Sequence, residues 1–262
     1  MPIQTLKERI NDYREVSSSK LMRKLPIVIN LNGRSFRRIT QGIEKPYSTD
    51  FSNVMCATAI KLCHEISGAV FAYIFNDDIT IVARNDQSVE TQAWFQNDIQ
   101  KIVSVSASIA TLEFANAAKS FDLILNGEAT FTSNVYTVPS TMEAINVLIL
   151  KQQLCQQTSL NFSAFYELSH RYGDDAIDIL QNRSPEEKEE LLAQCGQHYT
   201  TFPLPFRRGI ACYRSPTLIS SRDGDTFRNK WTLNTELPIF SKDSKFLENI
   251  LRSGSDIIRV NA

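Results

Sequence analysis

The sequence predicts an α+β fold. A βαββαβ sheet of ferredoxin-like topology spans residues 1–139, and a mainly helical region with short strands occupies residues 140–262. Three observations predict it. Apolar, β-branched runs at Pro26–Leu31, Gly68–Phe75, Ile79–Ala83 and Ala129–Val138 have the composition of buried strands. Helical apolar spacing fills the intervals where that topology needs helices, Thr49–Ile66 and Val89–Ala118. From Ser140 onward the pattern turns helical.

Each element has a local reason. Leu6, Ile10 and Tyr13 recur at three- and four-residue spacing, which predicts an amphipathic helix over Thr5–Val16. The strand Pro26–Leu31 runs into Asn32-Gly33-Arg34-Ser35-Phe36. Asp50 opens the next helix, and Phe51, Val54, Met55, Ala59 and Leu62 make its apolar stripe. Asn76-Asp77-Asp78 separates two strands, and Asn and Asp tolerate turn geometry, so this pair is a hairpin. The Ser/Ala-rich helix of Val89–Ala118 carries the small side chains that close packing on a sheet requires. Phe121–Leu125 is a further short-strand candidate, and Pro139 ends the strand that follows it.

Thr141–Arg171 holds one long helix or two, and Asp174–Gln181 a short one. Ser184-Pro185-Glu186-Glu187 supplies a cap, a first-turn proline and first-turn acids, and starts a helix running to Gln194. β-type pieces at Ile210–Tyr213 and Lys230–Leu233 precede a last helix over Lys242–Arg252. In a ferredoxin-like sheet the first and third strands lie side by side and antiparallel. Asn32 and the Asp77/Asp78 pair are therefore expected to meet at one edge of the sheet.

Composition narrows the classes. The chain has 262 residues, 42% hydrophobic and 22% charged, with a net charge of −1. Those values exclude a disordered chain, a collagen-like repeat, a long coiled coil and a tail-driven nucleic-acid binder, but not a local basic groove. The five cysteines are odd in number and form no C-x-x-C, and the three histidines have no ligand spacing. Buried or idle thiols are expected rather than a zinc site or a disulfide framework. His64 and His170 sit in helical patterns and read as hydrogen-bonded or partly exposed side chains; Trp94-Phe95 reads as a helix anchor. Charges recur every few residues over Thr5–Glu15, and no apolar run nears the ~20 residues of a membrane span. A cytoplasmic protein with no membrane partner is expected.

The edge where Asn32 meets Asp77 carries the chemistry. Carboxylates from two adjacent strands can hold two Mg²⁺ ions, one activating a hydroxyl and the other clamping a triphosphate. Asp77, with Asp78 beside it, supplies one half. The partner position holds Asn32, whose amide offers one carbonyl oxygen and no charge, so a second Mg²⁺ is weakened. Local alternatives stay open. Asn-Asp-Asp also suits a plain hairpin turn, and Asn-Gly-Arg-Ser-Phe suits either an exposed basic turn or a phosphate-cradling loop.

A longer series of motifs resembles a known family. It comprises Leu25–Phe36, Lys45-Pro46, Tyr73 with Asn76-Asp77-Asp78, Ala93-Trp94-Phe95, Gln100–Thr111, Phe131–Pro139, Lys151-Gln152, Gly196–Tyr199 and Arg207-Arg208-Gly209. Over residues 5–214 this is similar to the tRNA(His) guanylyltransferase superfamily, above all its bacterial-type guanylyltransferase-like 3′–5′ polymerases; the motifs do not place residues 215–262. The resemblance implies a palm-like domain, Mg²⁺, GTP or ATP as substrate, and a tRNA 5′ end that gains nucleotides, typically GMP, in the 3′–5′ direction. It implies catalytic roles for Asp77, Asp78 and Asn32, with metal held at Asp77, Gly33 and Asn32. Nucleotide contacts fall on Gly33, Arg34, Ser35, Phe36, Lys45, Asn76 and Lys101, and RNA contacts on Lys151, Gln152, Arg207 and Arg208. A homo-oligomer, dimer or tetramer, is also implied.

Several polar positions depart from the family pattern. Asn32 stands for Asp, Asn76-Asp77-Asp78 for Ser-Asp-Glu and Phe75 for Gln. Thr132-Ser133-Asn134 stands for Asp-x-Arg, Leu150-Lys151-Gln152 for Trp-Arg-Gln and Leu154 for Asp. Three readings follow: an active nucleotidyltransferase; a catalytically impaired homologue that binds nucleotide or RNA or partners an active paralogue; and an interaction protein on the same scaffold.

Overall fold

Six strands form one sheet in the order β4-β1-β3-β2-β5-β6, with every neighbouring pair antiparallel. They are β1 (Ile27–Arg34), β2 (Ala69–Phe75), β3 (Asp78–Ala83), β4 (Thr130–Thr137), β5 (Ile210–Ser221) and β6 (Gly224–Asn234). The computed structural model describes residues 4–88, 90–221 and 224–253. Its first four strands have the expected ferredoxin-like order.

Strand alternation divides the core. Ile27, Ile29 and Leu31 of β1 and Ile79 and Ile81 of β3 face one side, where α3 (Thr49–Glu65) and α4 (Ile99–Ser120) cover them. Val28, Val82, Phe71 and Tyr73 face the other, beneath α5 (Thr141–Tyr172) and α9 (Ser244–Ser253). Side-chain caps fix the helix starts: Ser48 accepts from Phe51 N–H, Asp98 from Lys101 N–H and Ser140 from Glu143 N–H. Between β1 and α3 lies the short α2 (Phe36–Ile39). The Ser184 start signal forms a full capping box with Glu187 and opens α7 (Pro185–Gln194). The first helix, α1 (Leu6–Val16), is capped by Thr5 and Glu8 but has no buried residue.

The structure corrects several expectations. The helix expected from Val89 begins instead at Ile99; Val89 lies outside the described residues. Phe95, Gln96 and Asn97 take positive φ in a 3₁₀ turn, and the Asn97 amide donates to the Leu21 and Met22 carbonyls, which ties that turn to the N-terminal segment. Trp94 does pack on the core below it. Phe121–Leu125 is no strand, because the chain doubles back there: Asp122 has φ 51°, and Leu123 N–H returns to the Ala118 carbonyl. The segment after Ser140 is one helix, α5, followed by a 3₁₀ turn and α6 (Ala176–Leu180). The short strand pieces are longer than expected. β5 pairs with β2 from Ile210 to Tyr213, and the β5–β6 hairpin continues to Ser221 and Gly224. Residues beyond 139 thus extend the same sheet. The last helix starts at Ser244, two residues after Lys242.

Candidate functional site

The end of β1 and the β2–β3 turn meet at one rim of the sheet. Asn32 lies directly opposite Asp78, and Gly33 N–H donates to the Asp77 carbonyl at 2.9 Å. Asn76 makes the tight turn possible with φ 48°, a conformation that Asn accepts better than most residues. Asp78 is the hub of a polar group on the α5 side. Its Oδ2 accepts from Asn32 Nδ2 and from Lys151 Nζ, each at 2.7 Å, and its Oδ1 accepts from Thr80 Oγ1 at 3.0 Å. A carboxylate only accepts, so the Asn32 NH₂ group must be the end that faces it.

Asp77 turns elsewhere. It lines a cavity of about 880 Å³ bounded by α2, α3, the 43–48 loop, the β2–β3 turn and the helices from α5 to α8 (Leu204–Arg208). The cationic side chains on its wall are Arg37, Lys45 and Lys188, against the acids Glu44 and Asp77. Burial pushes the Asp77 carboxyl above the usual carboxylate range; Asp78 adds to the rise and Lys45 opposes it. Burial likewise pulls Lys45 below the usual lysine range, with Asp77 opposing. Their attraction is thus weaker than the desolvation each suffers. Lys45 Nζ finds Thr40 Oγ1 at 3.3 Å, a neutral partner that leaves its charge largely uncompensated. A cation beside Asp77 and an anion beside Lys45 would relieve both.

A profile of the tRNAHis guanylyltransferase family matches residues 7–139, half of the chain. The chain belongs to this family. Two Arabidopsis thaliana relatives, tRNA(His) guanylyltransferases 2 and 1, are 25% identical over 201 residues and 24% over 203, covering 74% and 75% of this chain. The chain spans only 36% and 35% of their lengths. A bacterial tRNA(His) guanylyltransferase-like protein solved in complex with ATP superposes with a TM-score of 0.80 at 25% identity, covering 95% of this chain and 99% of that one. The same kind of protein in complex with GTP gives 0.77 at equal identity and coverage. The Saccharomyces cerevisiae enzyme, at 17% identity and TM-score 0.69 over 82% of this chain and 94% of that one, shares the fold.

Family membership sharpens the question of metal. Among the described residues no three His, Cys, Asp or Glu side chains gather as a ligand group. A divalent cation fits beside Asp77, whose half-buried carboxylate lines the cavity. A second one does not fit at Asn32 and Asp78. Asn32 brings no charge, and both Asp78 oxygens already accept hydrogen bonds, one of them from an ammonium.

The other family positions scatter. Gly33 and Phe36 are as much structural as site-forming. Phe36 is buried among Phe51, Phe114 and Phe131 with its ring edge-on to each, and a Cβ on Gly33 would overlap that ring. Ser35 turns the chain with φ 59°, leaving Arg34 and Ser35 exposed at the rim. Lys101 is not brought to this rim. Thr111 and Ser106 of α4 bond Phe131 and Ser133 of β4, so α4 runs toward Gly33 and its first turn lies at the opposite end of the sheet. Gln152 is 2% exposed: its amide donates to the Arg208 and Pro238 carbonyls and accepts from Phe240 N–H. Arg208 donates to the Leu237 carbonyl, and Arg207 to the Phe202 carbonyl while stacking over Tyr199. Lys151 is spent on Asp78. Gln152, Arg207 and Arg208 thus hold C-terminal segments together, while Lys151, Arg207 and Arg208 stay partly exposed.

Sequence reasoning missed the cavity's far wall. Asn161, Phe162, Phe165, Tyr166 and Lys188 line it. The signal was present as aromatics at Phe162, Phe165 and Tyr166, one face of a helix, but that spacing is the same for a core stripe. No helix among the described residues is long and apolar enough to cross a membrane. Four of the five cysteines are buried, and burial pushes Cys56 and Cys155 up to about 12, which keeps them as inert thiols.

Proposed function

We propose that this protein is a nucleotidyltransferase that uses GTP or ATP to add nucleotides, typically guanylate, to the 5′ end of a tRNA in the 3′–5′ direction. One observation carries the reading: in a chain of this family, Asp77 and Lys45 share the wall of a cavity large enough for a nucleotide, each lacking a sufficient counter-charge. Lys45 and Arg37 would neutralise the triphosphate, with Arg34 supplying charge at the rim. Phe162, Phe165 and Tyr166 offer flat apolar surface for a base. Catalysis of phosphoryl transfer is mostly positioning and charge neutralisation, which suits such a wall. A Mg²⁺ ion bound at Asp77 with the triphosphate would supply further neutralisation of phosphate charge. The same reading takes the working form to be a cytoplasmic dimer or tetramer, which light scattering checks.

The decisive assay incubates the protein with Mg²⁺, labelled GTP or ATP and 5′-monophosphorylated tRNA. Adenylylated or extended RNA is expected. Absence of product, together with calorimetric binding of GTP, would instead assign a non-catalytic nucleotide binder.

A further inference from the structure

The ammonium of Lys151 sits on the carboxylate that faces Asn32 across the sheet. Lys151 Nζ and Asn32 Nδ2 each lie 2.7 Å from the same Asp78 oxygen. Asn32 faces Asp78 across the β1–β3 register, and Thr80 closes the remaining Asp78 oxygen. The Lys151 and Asp78 side chains are each 20% exposed, so the pair is screened far less than a surface ion pair. A divalent cation approaching Asn32 and Asp78 would meet a fixed positive charge, one neutral amide and a carboxylate already neutralised.

We infer that Lys151 is a built-in monovalent cation replacing one divalent ion, so that this site binds one metal, at Asp77, and not two. The inference rests on the nucleotidyltransferase reading only for what the ions would serve; the geometry of Asn32, Asp78 and Lys151 stands without it. Three features agree. The carboxylate expected on β1 is an amide, which suits a site with one cationic charge fewer to balance. The Asp78 oxygens are satisfied within the protein. Asp77, by contrast, lines the cavity and remains poorly compensated.

The test counts Mn²⁺ by electron paramagnetic resonance on the full chain, with and without a non-hydrolysable GTP analogue. The natural protein is expected to hold one Mn²⁺ per chain beyond that carried by free nucleotide, with no exchange coupling between ions. Asn32→Asp combined with Lys151→Met is expected to gain one further Mn²⁺ per chain, and coupled spectra once both ions are present. Two coupled ions in the natural protein would overturn the inference, as would a folded double variant that gains none. If the double variant does not fold by circular dichroism, the count in the natural protein decides alone. Failure to bind the GTP analogue would sink the proposed function and leave the metal count, measured without nucleotide, to judge this inference separately.

Discussion

Gly33→Ala probes the join between the sheet and the candidate site. Gly33 lies within β1 opposite Phe131, so alanine would ordinarily stabilise there by about 0.4–1 kcal/mol through a less flexible unfolded chain. In this fold the new Cβ would overlap the Phe36 ring. That ring is 4% exposed, with centroids 5.1 Å from Phe114, 5.2 Å from Phe131 and 6.1 Å from Phe51, so it cannot retreat without opening the core. Overpacking costs about 1–3 kcal/mol, which leaves a net loss of up to about 2.6 kcal/mol. Phe36→Ala alone is expected to cost about 3–5 kcal/mol. With the ring gone, Gly33→Ala should change sign and stabilise by about 0.4–1 kcal/mol. Urea unfolding of the four proteins of this cycle, followed by circular dichroism, measures the coupling directly. An equal cost of Gly33→Ala in both backgrounds would refute the steric reasoning and place the penalty in the backbone.

Three further outcomes follow from particular contacts. Lys45→Ala should weaken GTP binding roughly tenfold to a hundredfold, the loss of a charge-assisted hydrogen bond of about 1.5–3 kcal/mol, and calorimetry that finds unchanged affinity would remove Lys45 from the site. Gln152→Leu should lower stability by about 2–4 kcal/mol, because it strands the Phe240 N–H and two carbonyls, and thermal unfolding measures this. Arg84 grips Asp86 through two bonds of 2.9 Å and holds its carboxyl below the usual aspartate range. That stability is present above the unfolded aspartate pKa of about 3.9 and disappears as pH falls through the lower folded value. Asp86→Asn should therefore be less stable than the natural protein at pH 6, with the gap closing as pH falls below the ordinary aspartate range. A gap constant with pH would refute it.

The parts of the fold legible in the sequence are those where burial dictates residue type. Pro26–Leu31 and Ile79–Ala83 are nearly continuous apolar runs because both faces of β1 and β3 are covered, and that made the register of Asn32 on Asp78 deducible from topology. Between Tyr213 and Lys230 the β5–β6 hairpin is illegible because it runs through polar residues such as Arg214, Ser215 and Asn229, with no alternation to read. The start of α4 was misplaced because positive φ at Phe95 and Gln96 has no signature in residues that rarely adopt it. The near wall of the site, Asp77 and Lys45, lies within recognisable family motifs. The far wall comes from α5 to α7, whose placement over the β2–β3 turn depends on contacts far apart in sequence, such as Lys151 on Asp78 and Gln152 on Arg208.

Asp77 and Asp78 read as one acidic pair in the sequence, but the sheet separates them. Asp78 is the first residue of β3 and shares its face with Thr80 and Val82, toward α5, whereas Asp77 belongs to the turn and lines the cavity. Neighbouring residues of one chemical type should then give opposite phenotypes. Asp77→Asn removes a charge that burial already disfavours, so it should leave stability equal or slightly raised while abolishing Mn²⁺ binding and nucleotide transfer. Asp78→Asn leaves the Lys151 ammonium without its carboxylate and should cost about 1–3 kcal/mol. Adding Lys151→Met to Asp78→Asn should recover most of that loss, since no unpaired cation remains. Urea unfolding of these variants, read beside Mn²⁺ titration, distinguishes the cases. If Asp77→Asn is the destabilising change and Asp78→Asn the one that empties the metal site, the two carboxylates face the opposite way, and Lys151 cannot be the stand-in for a divalent ion.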